Sequence, residues 1–111
     1  MKIDFSNIEE TLTEGFKGGE GKLKIRNFSD KDCKIMRMAL APGASIGHHR
    51  HEGSCEIIHI LEGEGHFIYD GQNEPFHSGD THYCPDGHAH SMHNDAPTPL
   101  LYLAIVVTLH Q

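Results

Sequence analysis

The stretch GASIGHHRHEGSCEIIHILEG, residues 43–63, decides the reading of this chain together with GDTHYCPDGHAHSMHN, residues 79–94. In the first, His49 and His51 stand two apart. On a β-strand that spacing puts both side chains on one face, with roughly 6.6 Å of rise between them. Two imidazoles can then converge on one ion. Glu56 follows a Glu-Gly-Ser turn and can face them from the next strand. His90, in the second stretch, would complete a set of three imidazoles and one carboxylate, although spacing alone does not bring it to the others.

Outside these stretches, composition sets the bounds. A chain of 111 residues with 37% hydrophobic and 23% charged content suits one globular domain. A net charge of −7 speaks against nucleic acid and anionic membrane as partners, since both need a basic face. The opening MKIDFSNIEE has no apolar core of signal-peptide length, and the apolar run Leu100–Leu109 is too short to span a bilayer. Cys33, Cys55 and Cys84 form no C-x-x-C pair, and an odd count is no disulfide framework. These features point to the cytoplasm.

Ser6-x-x-Glu9 has the form of a capping box, and Ile8 and Leu12 lie on one helical face before Gly15, so the spacing predicts a short helix over 7–14. After the loop at 18–21, β-prone runs recur at 22–28, 33–41, 46–52, 55–62, 64–70, 81–85, 88–94 and 99–108. Asp70-Gly71 marks a tight hairpin, and Pro42-Gly43, Pro85-Asp86-Gly87 and Pro97-Thr98-Pro99 mark turns. Many short strands at near-regular spacing predict an all-β antiparallel sandwich or small barrel. Residues 1–34 read as an N-terminal helix and strand arm, and 35–108 as the barrel, within one domain overall.

The two quoted stretches resemble the paired motifs of the cupin superfamily, G-x5-H-x-H-x3–4-E-x6-G and G-x5-P-x-G-x2-H-x3-N, at every signature position. Fifteen residues separate Gly63 from Gly79, similar to compact bacterial single-domain members. The resemblance covers about residues 35–108. It implies a single antiparallel jelly-roll (double-stranded β-helix) barrel with a metal inside one end, held by His49, His51, Glu56 and His90. Gly43, Gly63, Gly79, Pro85 and Gly87 become turn residues, and Asn94 a structural hydrogen-bonder. Small members commonly pair through N-terminal strands, and residues 22–41 offer such strands, so the resemblance implies a homodimer.

Most of the eleven histidines are bystanders on this reading. His48 and Arg50 alternate with the ligand pair and face away, and His66, His77 and His110 read as exposed or interfacial. Gly43-Ala-Ser45-Ile-Gly47 matches the nucleophile elbow G-x-S-x-G, but that motif needs a strand-to-helix turn in a much larger fold. Cys55 alternates away from Glu56, Cys84 reads as core, and Met36, Met38 and Leu40 read as core packing.

Three imidazoles and one carboxylate suit a six-coordinate divalent ion with two open positions. Mn, Fe, Co and Ni are natural occupants, and Zn or Cu could bind by affinity. Such a site favours a small anionic or polar ligand, above all bidentate acids, which the ion would polarise as a Lewis acid. Proton transfer would need a further group, for which the candidates are Tyr69, Tyr83, Tyr102, His88 and His59. The leading expectation is a metalloenzyme of isomerase, epimerase or lyase type acting on a carbohydrate-derived or carboxylate metabolite. A metal-dependent dioxygenase and a non-catalytic binding or sensing module are the alternatives, because one fold hosts all three.

Overall fold

A computed structural model describes residues 1–110 of the chain. Ten strands succeed one another: β1 (Thr11–Glu14), β2 (Lys22–Ser29), β3 (Cys33–Leu40), β4 (Ser45–Arg50), β5 (Ser54–Glu62), β6 (Glu64–Tyr69), β7 (Gln72–His77), β8 (Thr81–Cys84), β9 (Ala89–Asn94) and β10 (Leu100–Thr108). They form a six-stranded sheet ordered β1-β2-β3-β10-β5-β8 and a four-stranded sheet ordered β4-β9-β6-β7. Every strand pairing is antiparallel. This is the all-β jelly-roll sandwich expected of the sequence, and each of the eight expected β runs is a strand.

The helix expected over 7–14 is absent. A 3₁₀ turn at Phe5–Asn7 stands before it, capped by Asp4, whose carboxylate accepts from the Ser6 N–H. Thr11–Glu14 is then a strand, with Thr11 opposite Ile25 and Glu14 opposite Lys22. Ile8 and Leu12 are too few to make an apolar helical face, and Leu12 stays 58% exposed. The free edge of β2 offers backbone hydrogen bonds that a two-turn helix without a buried stripe cannot match. The Arg26 guanidinium fixes the segment by donating to the carbonyls of Phe5 and Ile8.

β7 was not marked in the sequence either. It contains Pro75, and all its residues but Phe76 are exposed, so alternation is invisible. As the last strand of its sheet it can carry a proline, whose missing N–H faces no neighbour.

The core fills the space between the sheets. Leu23, Leu40, Ile60, Phe67, Leu100 and Ala104 are its most enclosed apolar members. Asn94 ties the lower end together as expected: its Nδ2 donates to the carbonyls of Leu40, Ala41 and Thr98, and its Oδ1 accepts from the Ala96 N–H. The loop after β1 lies across β4. A Cβ on Gly47 would sit 2.0 Å from the Lys17 carbonyl oxygen, so only glycine admits this approach.

Candidate metal centre

Strand β4 carries a bulge that places its histidines. Ile46 pairs with Met92 and His49 with His90, so one extra residue intervenes on β4. Ile46 and His49 therefore both face inward, which strict alternation would forbid. His51 lies just past the strand, but its N–H donates to His88 and its carbonyl accepts from Gly87, which prolongs the pairing. His90 enters from β9. Glu56 comes from the opposing sheet, where it pairs with Cys84 and Val106.

The four predicted ligands meet at one point. Nε2 of His90 lies 3.2 Å from Nε2 of His49, 3.2 Å from Nε2 of His51 and 2.9 Å from Oε1 of Glu56. His51 Nε2 is 3.1 Å from the same Glu56 oxygen, and His49 Nε2 is 4.0 Å from it. All four ligand atoms fall within 4.8 Å of one another, a spread that can hold one metal ion. Separations of 2.9 to 4.0 Å are short enough for bonds of roughly 2.1 Å from a single ion to reach these atoms.

The second nitrogen of each imidazole is engaged. His49 Nδ1 is 2.8 Å from the Gly47 carbonyl, His51 Nδ1 is 3.4 Å from Ser54 Oγ, and His90 Nδ1 is 3.0 Å from Nε2 of His82. Burial works against ionisation of Glu56, but hydrogen bonds from His51 and His90, with their charge, hold its carboxyl at about 2. Burial also pushes the His49 imidazole below its ordinary value, against the Gly47 carbonyl, which raises it.

The cluster opens onto a cavity of about 350 Å³ walled by Met36, Met38, Ile46, Ile58, Met92 and Tyr102. The methionines expected as plain core thus also line the cavity. Exposed Lys17 and Lys34 stand on its open side, and Arg50 is tied to the Gly87 carbonyl. Tyr102 is 2% exposed, and burial together with the Glu56 charge pushes its hydroxyl far up, so it remains a proton-bearing donor.

The other proton-transfer candidates stand elsewhere. Tyr83 is 55% exposed. His59 points outward, with Nδ1 2.8 Å from Thr81 Oγ1. His88 pairs with Asp70 and with the Tyr69 hydroxyl at the outer end of the barrel. Two residues at the site were missed by sequence reasoning. His82 is buried behind His90, and Glu74 lies behind His82 at 2.6 Å. The alternation of His82 with Cys84 on β8 was the only signal for the first, and nothing marked the second.

The sequence profile of the cupin domain matches residues 36–106, which include all four cluster residues. The chain belongs to the cupins. An oxalate-binding protein of Thermotoga maritima is 34% identical over 98% of this cupin and 95% of its own length. The crystal structure of a predicted oxalate decarboxylase from Thermotoga maritima superposes with a TM-score of 0.92, at 34% identity, over 98% of this chain and all of that one. An RmlC-like cupin from Shewanella frigidimarina shares the fold at TM-score 0.78 and 19% identity, over 96% of this chain and 88% of the other. No helix among the described residues is long and apolar enough to cross a membrane.

Proposed function

We propose that this cupin holds one divalent transition metal on His49, His51, Glu56 and His90 and uses it to bind a small bidentate carboxylate, with oxalate or a related 2-oxo or hydroxy acid as the ligand. The observation that carries the reading is the set of separations between ligand atoms. Three imidazoles and one carboxylate would leave a divalent ion room for further ligands, a donor set that suits Mn, Fe, Co or Ni. A divalent ion with one carboxylate would leave the centre about +1, and on the open side Lys17 and Lys34 outweigh the single exposed carboxylate of Glu52. Both features favour an anion. The name of the Thermotoga relative, an oxalate-binding protein, supports the same ligand class.

The metal, when bound, supplies Lewis acidity toward the carboxylate oxygens. The chain itself contributes an apolar wall that excludes water and the Tyr102 hydroxyl, which lines the cavity and stays protonated. Where the bound acid is turned over, lyase-type cleavage fits best, since the metal would polarise the carboxylate oxygens and the Tyr102 hydroxyl keeps a proton to donate. A purely binding role is the second reading, favoured by the name of the same relative. The three cysteines are free, in keeping with a reducing, cytoplasmic setting.

Thermal-shift measurements on the metal-loaded protein test this. Oxalate, pyruvate or a hydroxy acid at one hundred times its dissociation constant should add about 2.7 kcal/mol of stability, and the effect should vanish in His51→Ala. Anaerobic loss of the bound acid supports the lyase, and its persistence supports the binding protein. No response to any acid, with Mn, Fe, Co and Ni each loaded in turn, refutes the ligand class.

A further inference from the structure

His90 is reached from behind by two side chains that hold no place in the ligand set. Its Nδ1 lies 3.0 Å from Nε2 of His82, and Nδ1 of His82 lies 2.6 Å from Oε1 of Glu74. The two rings are nearly parallel, 19° apart, and the Phe67 ring stacks on His82 at 3.8 Å and 12°. His82 is 5% exposed, whereas the Glu74 side chain is 47% exposed. The three residues come from β9, β8 and β7. β8 is the last strand of the six-stranded sheet and β7 the last of the four-stranded one, so the chain of contacts closes the gap between two sheet edges.

The chemistry of the three groups gives this chain a direction. An ionised carboxylate only accepts hydrogen bonds. Glu74 therefore requires the proton of His82 on Nδ1, which leaves Nε2 of His82 as an acceptor. That acceptor in turn requires the proton of His90 on Nδ1. The remaining nitrogen of His90, Nε2, then carries a free lone pair and is the atom that faces Glu56, His49 and His51. A neutral metal-bound imidazole needs this tautomer.

We propose that Glu74 and His82 are positioning residues for the metal site, a one-way hydrogen-bond chain that sets the tautomer and orientation of His90. The inference rests on the metal reading above. Replacing Glu74 with glutamine breaks the direction while keeping the shape, because an amide can donate as well as accept and then permits the opposite tautomers of both histidines.

The test is zinc affinity of the metal-free protein, measured by competition with a chelating dye, for wild type, Glu74→Gln, Glu74→Asp and His82→Phe. Glu74→Gln and His82→Phe should bind zinc about 10- to 100-fold more weakly, and Glu74→Asp should stay within a few-fold of wild type. The metal-free melting temperature of Glu74→Gln should match wild type, since Glu74 is half exposed on an edge strand. Long-range proton–nitrogen NMR of the zinc-loaded protein should show Nδ1–H on both His82 and His90. Unchanged zinc affinity in Glu74→Gln overturns the proposal, as does a proton on Nε2 of His82. A wild-type protein that takes up no zinc, cobalt or manganese removes the metal reading and this one with it.

Discussion

Replacing Glu56 by glutamine in the metal-free protein should expose how strongly the cluster holds its one negative charge. The Glu56 carboxyl moves from an ordinary 4.5 to about 2 in the fold. At roughly 1.4 kcal/mol per pH unit this corresponds to about 3 kcal/mol of stability. The side chain is only 10% exposed, so solvent screening removes little of it. A lowered carboxyl contributes stability that is fully present above its unfolded value and lost as pH falls through the folded one. The window is therefore from 4.5 down to about 2. Urea unfolding of chelator-treated wild type and Glu56→Gln should differ by about 3 kcal/mol near pH 6, within the range seen when one partner of a buried pair is removed. The gap should close as pH approaches the lower end of the window, where wild-type Glu56 is also neutral. A gap that is the same at both ends would show that Glu56 is not held by the histidines, and the convergence of the four side chains would be wrong.

Metal removal should carry its own pH signature. Burial and metal ligation both favour neutral His49, so that stability is present above about 6.5 and is lost as pH falls through the lower folded value. Excess chelator should lower the melting temperature by about 10 °C near pH 7.5 and change it little near pH 4.5; equal effects would speak against histidine ligation. The outer face of the six-stranded sheet carries Ile35, Ile57, Leu103 and Ile105 half-buried, with Leu61 and Tyr83 exposed. We propose that a second copy covers it, so sedimentation at micromolar concentration should give a homodimer, and a 12.4 kDa species would refute this.

The legible parts of the molecule are those where local pattern and tertiary role coincide. His49 and His51 share a strand, so their common face follows from period two. Glycine, proline and aspartate punctuation separates eight strands: most turns carry glycine or proline, and at 30–32 the Asp30 carboxylate accepts from the N–H groups of Asp32 and Cys33 instead. Thr11–Glu14 failed because two apolar residues at helical spacing are weak evidence beside an open sheet edge. Gln72–His77 failed because an edge strand exposed on both faces has no alternation to read. The inward turn of both Ile46 and His49 depends on a bulge that no spacing announces. Glu74 and His82 escaped for another reason: their partnership joins two sheet edges, and only the closed sandwich brings those edges together.

The surroundings of the cluster also explain why it suits a cation. A neutral imidazole carries one N–H. The Gly47 carbonyl claims that of His49 on Nδ1, and the chain from Glu74 claims that of His90 on Nδ1. Both Nε2 atoms then present lone pairs to each other at 3.2 Å, with a Glu56 carboxylate oxygen beside them. Only His51 can bring a proton inward, and one N–H cannot serve His90 and Glu56 together. Acceptors crowded in a buried site repel unless something positive sits among them. A divalent ion bound among them would meet that need, beside a Glu56 carboxyl held low and therefore negative. Gly47, His82 and Glu74 fix which lone pairs face inward, so the residues behind the ligands, as much as the ligands themselves, would set how tightly the ion is held.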